Sequence, residues 1–238
     1  MNKIRIVNDI IEFKKNNFKN IHIYFDKNNF TQIYALIIGP KNTPYYGGSF
    51  FFDIKFPDNY PNSPPKVKYL TTDGKVRFHP NLYHNGKVCL SNLNTWSGPP
   101  WTPVMNLTSI LLSIEAVLTE MPIKNEPGYE NIKNDDITSI SFNTYVLYNT
   151  YKLAIINIIN NNFNPFSNKN ILPHFKDIIM ENFNNIKKDL ENNLLTYKEI
   201  YGVYPYNYGV YYTEDKSDLN FITLLDLFQT TLKILNKN

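Results

Sequence analysis

The spacing of apolar residues changes once before residue 70. Between residues 3 and 15 apolar side chains recur every three or four positions, which predicts an amphipathic helix with a partly basic outer face. From Asn20 onward the spacing is two, as expected of strands that bury one face. Strands are predicted at 21–25, 33–37, 50–56 and 67–70. This part of the chain therefore predicts a helix followed by an antiparallel four-stranded meander.

A long segment without regular spacing follows the predicted strands. Residues 71–103 are rich in glycine and proline, and irregular segments of this length in a compact domain are usually functional. Helical spacing resumes after Asn106, a candidate N-cap, and stops at Met121-Pro122. The chain beyond Glu130 is predicted to be entirely helical, with helices at 142–160, 171–197 and 219–235.

Composition limits the class of protein. Apolar residues make up 42% and charged residues 19% of the 238 positions, as in ordinary globular proteins. The 24 basic and 21 acidic residues give a net charge of only +3, which disfavours nucleic acid as a partner. No apolar run is long enough to cross a bilayer, and polar residues interrupt the N-terminal stretch where a secretory signal would be apolar. No membrane association is expected.

The chain contains one cysteine, Cys89, so it cannot form an internal disulfide. A reducing compartment is therefore expected, with a cytoplasmic or nuclear location. One cysteine and four histidines without ligand spacing predict no metal site.

Cys89 lies ten residues after His79 and five after His84. A thiol has an ordinary pKa of about 8.5, so attack near neutrality needs a base, a positive charge or a helix N-terminus. A thiol hydrolase would orient one histidine with a third residue, and the sequence suggests none. A cysteine that accepts an acyl group by thioester exchange needs an oxyanion stabiliser instead, and the amide of Asn81 is available. Such a sulfur must be reachable and close to that amide.

The residues around Cys89 resemble the active-site signature of the ubiquitin-conjugating enzymes. His79-Pro80-Asn81 is followed, after seven residues, by Cys89-Leu90. The segments "YYGGSFFF", "FPDNYPNSPPKV", "NGKVCLS" and "WTPVMNLTSILLSI" also occur in that family's order and spacing, over roughly residues 3–130. The resemblance implies the α+β ubiquitin-conjugating-enzyme fold, with an N-terminal helix, a four-stranded antiparallel meander, a long active-site segment and further helices.

A narrower resemblance concerns the large conjugating enzymes, in particular the Z type. "CLSNLNTWSGPPW" and "NEPGYE" are similar to segments of that type, which also carries a helical C-terminal extension. "TYVLYNTYKLAIINIIN" and "LNFITLLDLFQTTLKIL" resemble parts of the extension. The expected organisation is a catalytic core at 1–130 and a helical extension at 131–238, which packs on the core or continues it.

The resemblance implies roles for four residues. Cys89 would be the nucleophile that forms the thioester, its alternative being a buried structural cysteine. Asn81 would stabilise the oxyanion, brace its own loop, or do both. His79 is expected to hold the loop by a hydrogen bond to the backbone rather than to transfer protons. Glu126 would orient or deprotonate the attacking lysine.

Partner-binding residues are also implied by the resemblance. Two loops match those with which conjugating enzymes meet ubiquitin ligases, through Pro61, Asn62 and Ser63 in one and Trp101, Pro103 and Val104 in the other. Asn62 stands where many members that pair with RING-type ligases have a large apolar residue. Lys3 and Arg5 lie on the helix that docks on the activating enzyme, although a solvated helix face is the alternative for either residue.

The function implied is that of a ubiquitin-conjugating enzyme. It would accept ubiquitin or a ubiquitin-like protein from an activating enzyme as a thioester on Cys89, and pass it to a lysine amine of a protein substrate, directly or through a ligase. ATP would be consumed by the activating enzyme, and this chain would need no cofactor. The alternatives are a catalytically inactive module of the same fold that binds ubiquitin or a ligase, and a thiol hydrolase.

Overall fold

The structure is a computed structural model that describes residues 3–205 and 217–237. The helices are α1 Lys3–Lys15, α2 Leu107–Val117, α3 Ile137–Asn149, α4 Lys176–Tyr201 and α5 Phe221–Leu235. The strands are β1 Ile21–Asp26, β2 Asn29–Ile38, β3 Ser49–Lys55, β4 Lys66–Tyr69, β5 Val203–Tyr204 and β6 Leu219–Asn220. Shorter turns are 3-10 helical at Ser91–Leu93, Pro122–Asn125 and Leu172–Phe175, and π-helical at Thr150–Asn157.

The first four strands form the predicted antiparallel meander, in the order β1-β2-β3-β4. Ile37 of β2 pairs with Phe50 of β3, and the next residue back, Leu36, pairs with Phe51. Because side chains alternate between the faces of a strand, the first pair points to one side of the sheet and the second to the other. Both pairs are apolar, so both faces of the sheet have to be covered.

The inner face packs against α1 and α2 and forms the larger apolar core. The predicted cap at Asn106 is confirmed, because its side chain accepts a hydrogen bond from the backbone N–H of Ser109 at 2.9 Å. The Ser109 hydroxyl also lies 3.0 Å from the Asn106 backbone nitrogen, which completes a capping box. The helix ends at Val117, a few residues before the predicted stop.

The outer face is covered by residues from the C-terminal part of the chain. Leu36, Ile38 and Phe51 form a second apolar cluster with a set of side chains that follow α3: Ile158, Phe166, Ile171, Leu172, Phe175 and Ile179. The ring of Phe51 makes edge contacts with Phe166 at 5.0 Å and with Phe175 at 5.5 Å. The sheet is therefore a middle layer between helices on both sides.

The helices of the C-terminal part are confirmed, with two differences. The helix predicted at 142–160 is split into α3 and the π-helical segment 150–157. The expectation that the chain beyond Glu130 is entirely helical is wrong, because β5 and β6 form a small antiparallel ladder. These two-residue strands flank the tyrosine-rich stretch, most of which lies outside the described residues.

The C-terminal part contacts the first part at a glycine turn. Gly47 has φ +75°, a conformation that strains other residues, and a Cβ atom there would lie 2.4 Å from Cδ1 of Ile186 on α4, so that Ile186 would have to move. One continuous apolar core includes both Ile6 of α1 and Leu190 of α4. The division at residue 130 stays a prediction. None of the helices within 3–205 and 217–237 combines the length and apolar character needed to cross a membrane.

Candidate active site

Cys89 lies in a compact loop that is tied to the edge of the sheet. Isolated bridges join Leu82 to His79 and to Val88, which folds residues 79–88 back on themselves. The turn needs Gly86, whose φ is +89° and whose carbonyl accepts a hydrogen bond from the Tyr69 N–H at 2.8 Å. This folding brings Asn81 and Cys89 side by side, although seven residues separate them in the sequence.

Asn81 and Cys89 are joined by two hydrogen bonds. The Cys89 backbone N–H donates to the Asn81 carbonyl at 2.9 Å, and the Asn81 side-chain amide donates to the Cys89 carbonyl at 2.6 Å. The carbonyl oxygen of the Asn81 side chain is buried and has no hydrogen-bond partner among the described residues. In this conformation the carboxamide braces the loop. The Asn81 amide has two N–H groups, and the bond to the Cys89 carbonyl uses one of them.

Cys89 is only 1% exposed, whereas the proposed chemistry requires a reachable sulfur. Cys89 is buried together with its neighbours Val88 and Leu90, which belong to the larger apolar core. The expected proximity to Asn81 is present, but the expected access is not. Attack of this thiol on another protein's thioester therefore requires a local opening around Cys89.

His79 is fully buried next to the same loop. Its Nδ1 accepts a hydrogen bond from the Asn81 backbone N–H at 2.9 Å, which holds the segment that carries the carboxamide. Burial and the positive charge of Arg77 lower the pKa of His79 to about 3. The imidazole is therefore neutral near pH 7, as a hydrogen-bond acceptor at Nδ1 requires. The half-buried His84 contacts the Gly74 carbonyl instead.

Arg77 is a site residue that sequence reasoning missed. It is buried, and its guanidinium donates to the carbonyls of His79 and Pro80. The same group lies 3.6 Å from a carboxylate oxygen of Glu126 and 3.9 Å from the centre of the Tyr83 ring. The signal in the sequence was its position between Val76 and Phe78, since a charge that is buried with apolar neighbours needs a partner.

Glu126 is brought to the Cys89 loop by this ion pair. It follows the 3-10 turn Pro122–Asn125, and its side chain is largely buried at 14% exposure. Glu126 and Arg77 are 49 positions apart in the chain. The structure therefore places the predicted carboxylate beside the loop of Cys89, Asn81 and His79. Within the described part of the chain, no three His, Cys, Asp or Glu side chains are grouped as a metal site would require.

The residues predicted to bind a ligase lie in two loops that contact each other, but one of them, Trp101, is buried at 7% exposure rather than presented to a partner. The Trp101 indole N–H donates to the Pro61 carbonyl at 2.7 Å, which joins the two predicted ligase loops. Asn62 and Pro103 are exposed, and Val104 is 84% exposed. Ser63 is half-buried and accepts a hydrogen bond from Asn59.

The predicted docking helix adjoins these loops. Lys3 is exposed on α1. Arg5 instead makes internal contacts, because its guanidinium donates to the carbonyls of Pro103 and Met105 and pairs with Asp9 at 2.7 Å. Arg5 therefore holds α1 against the second loop.

Comparison with known proteins identifies the family. The sequence profile described as "Ubiquitin-conjugating enzyme" matches residues 5–145, which is more than half of the 238 positions. The chain belongs to the ubiquitin-conjugating enzyme family, and the predicted α+β fold is confirmed.

The curated relatives sharpen the resemblance within the family. The chain is 42% identical to "Ubiquitin-conjugating enzyme E2 Z" of Xenopus tropicalis and 41% identical to the Homo sapiens protein of that name, over 157 residues in each case. These matches cover 66% of this chain but only 50% and 44% of the relatives. The chain therefore spans about half the length of the curated relatives it matches. The predicted resemblance to the Z type is confirmed.

A solved structure of human ubiquitin-conjugating enzyme E2 G1 is 32% identical, with a TM-score of 0.43. It covers 48% of this chain, and the match spans 92% of that structure. The assignment of the fold rests on the family match and on the order of the elements.

Proposed function

We propose that this chain carries ubiquitin or a ubiquitin-like protein as a thioester on Cys89 and transfers it to a lysine amine. The observation that carries the proposal is the pair of hydrogen bonds between Asn81 and Cys89, in the part of the chain that matches the family. Arg77 also forms an ion pair with Glu126 at 3.6 Å, which supports a role for this carboxylate at the same loop.

The first step is a thioester exchange. The Cys89 thiolate attacks the C-terminal carbonyl of the modifier, the new S–C bond forms, and the thiolate of the activating enzyme leaves. The two thioesters are close in energy, so this step needs little more than contact between the sulfur and the carbonyl. Because Cys89 is 1% exposed, the loop around it opens when the activating enzyme docks.

The second step is attack of a lysine amine on the Cys89 thioester. The new bond joins the lysine nitrogen to the carbonyl carbon, and the Cys89 thiolate is released. The amide of Asn81 is assigned to donate to the oxyanion, and its hydrogen bond to the Cys89 backbone carbonyl supports this role because it keeps the amide next to that residue. A free lysine amine has a pKa of about 10.4, so a carboxylate that takes its proton helps the attack near neutrality. Glu126 is assigned that role.

His79 takes no part in proton transfer. Its pKa of about 3 keeps the imidazole neutral near pH 7 and makes it a weak base there, and its Nδ1 is occupied by the Asn81 N–H. Its role is to position the segment that carries the carboxamide.

The partners follow from the same assignment. The activating enzyme would dock on α1 near Lys3, and a ligase on the surface formed by residues 61–63 and 101–104. The ATP of the first reaction is consumed by the activating enzyme. We expect substrates to be proteins with accessible lysines, in a reducing cytoplasmic or nuclear compartment.

The test is a charging assay with activating enzyme, ATP and a panel of modifiers that includes ubiquitin. We expect an adduct that disappears with reductant and is absent in Cys89→Ala. Cys89→Ser is the matched control, because its oxyester adduct should resist reductant and yield to hydroxylamine. If no modifier charges the chain, the proposal fails and an inactive binding module of the same fold is the better description. Release of free acid from a peptide ester would favour a thiol hydrolase instead.

A further inference from the structure

A cleft of about 720 Å³ lies between the β2–β3 connection, α3 and α4. Ligand sites in proteins commonly measure ~300–1,000 Å³ and often lie where two parts of a chain meet. The cleft is lined by residues from 41–46 and by Glu120 of the first part of the chain, and by residues of α3, α4 and the segments next to α3 in the second part. None of the residues assigned to transfer lines it, so the cleft is separate from the Cys89 site.

The walls of the cleft are held in place by contacts outside the opening. The Asn143 amide donates to the Glu120 carbonyl at 2.9 Å, and the Tyr151 hydroxyl donates to the Leu190 carbonyl at 3.3 Å. The β2–β3 connection packs closely against α4 at Gly47, where an added Cβ atom would lie 2.4 Å from Cδ1 of Ile186. The cleft is therefore formed before any ligand arrives.

Tyrosine rings line one side of the cleft. Tyr151 lies edge-on to Tyr197 at 6.4 Å, and Tyr197 lies 6.2 Å from Tyr201. Tyr46 lines the cleft from the β2–β3 connection. Aromatic faces attract cations, and arginine stacks on them especially well.

The charges in the cleft also favour a cation. Glu120 and Asp189 line it, while Lys41 is its one basic lining residue. Neither carboxylate has a salt bridge within 3–205 and 217–237. Burial and the negative charge of Asp189 raise the pKa of Tyr46. Phosphates and other anions are disfavoured by this balance.

Asparagine amides supply the hydrogen-bonding groups that an extended peptide backbone needs. Asn192 and Asn193 line the cleft from α4, and each side chain offers donors as well as an acceptor. The side-chain oxygen of Asn143, also in the lining, is buried and has no hydrogen-bond partner in the described part of the chain.

We propose that this cleft binds an extended, arginine-containing peptide segment of a partner protein. The guanidinium lies against the tyrosine rings beside Asp189, and the peptide backbone pairs with the asparagine amides. The proposal goes beyond the transfer chemistry and does not depend on Cys89.

The experiment titrates the full chain, labelled with ¹⁵N, with acetyl-Gly-Ala-Arg-Ala-Gly-amide at low salt. The same peptide with citrulline in place of arginine has nearly the same shape without the charge. We expect saturable binding of the arginine peptide, citrulline binding that is at least ~fivefold weaker, and shifted signals from residues of the cleft. Raising the salt concentration should weaken binding of the arginine peptide and leave binding of the citrulline peptide almost unchanged.

Asp189→Asn should reduce the arginine preference about threefold or more, because it removes the charge and keeps the shape. Asp226→Asn is the matched control, since Asp226 is exposed on α5 and does not line the cleft. Circular dichroism shows that each variant is folded. Equal binding of the two peptides, an equal effect of Asp226→Asn, or no saturable binding below ~10 mM would overturn the proposal.

Discussion

The outer face of the sheet and the loop around Cys89 are both buried, but they are held by different interactions. Leu36, Phe51 and their partners from the C-terminal part pack together as an apolar cluster. The Cys89 loop is held by hydrogen bonds and an ion pair that involve Arg77, His79 and Asn81. Apolar contacts are non-directional, whereas hydrogen bonds set distances and angles.

The difference separates stability from geometry. Loss of an apolar contact on the outer face should lower the free energy of unfolding and leave the arrangement of the site unchanged. Loss of a polar contact in the loop should disturb the site more than the stability of the whole chain. Four predictions test this separation, from the largest expected effect to the smallest.

Phe51→Ala should lower the free energy of unfolding by about 3–5 kcal/mol, because it leaves a cavity between Phe166 and Phe175. Urea denaturation measures the change. Phe51→Leu, which keeps most of the volume, should cost clearly less. A loss below about 1 kcal/mol in the alanine variant would show that the C-terminal layer is not packed on the sheet as described.

Cys89 should react with a small thiol reagent at least ~100-fold more slowly in the native chain than in urea, because the reagent must wait for a local opening. The chain has one cysteine, so the signal comes from this residue alone. Phe51→Leu should leave the native rate unchanged. A native rate equal to that of the unfolded chain would mean that the sulfur is exposed in solution.

Arg77→Met should lower the free energy of unfolding by about 1–3 kcal/mol, since it leaves the His79 and Pro80 carbonyls without their donor. It should also slow discharge of the Cys89 thioester to free lysine by about tenfold, because Glu126 loses its partner.

Lys55→Met is the matched control for Arg77→Met. Lys55 pairs with Asp53 at 3.6 Å on the surface, where such pairs contribute little. Charging assays with lysine chases measure the discharge rate. An unchanged discharge rate in folded Arg77→Met would show that the ion pair between Arg77 and Glu126 is not needed for the transfer step.

The pH dependence of stability should report His79. Its pKa is about 3 in the folded chain and about 6.5 when unfolded, so folding releases a proton between these values. Stability from this group is therefore complete above about pH 7 and falls by at most about 1.4 kcal/mol per pH unit as the pH drops below 6.5.

His79→Asn keeps an acceptor near the Asn81 N–H but does not titrate. Urea denaturation from pH 5 to 7 should give a shallower pH dependence for this variant than for the parent. His22, whose pKa is also lowered by burial, contributes equally to both chains and cancels in the difference. Identical slopes would show that His79 is exposed to solvent or protonated in the folded state.

The agreement between sequence and structure follows the range of the interactions. The meander from β1 to β4 was predictable because alternation is a property of neighbouring residues. The cap at Asn106 was predictable because its partner, Ser109, is three residues away. The proximity of Asn81 and Cys89 in the 79–89 loop was predictable only through a motif that the family shares.

Other features were out of reach because they join distant parts of the chain. The contact between Arg77 and Glu126 spans 49 positions, and the residues around either one do not predict the other as its partner. The cover on the outer face depended on how the helices after residue 149 return to the sheet. The burial of Cys89 was not expected either, because a motif gives residue types and spacing but not solvent access.

The amino-acid sequence by itself determined the helices, the meander and the family, since local periodicity and a spaced motif do not depend on how segments meet. Only the tertiary structure decided that Arg77 holds Glu126 beside the loop, that Cys89 is covered, and that a polar cleft opens between the two parts of the chain. Each of these depends on the packing of residues far apart in sequence. Packing has geometric requirements, such as the missing side chain at Gly47, that become visible only when the partner helix is in place.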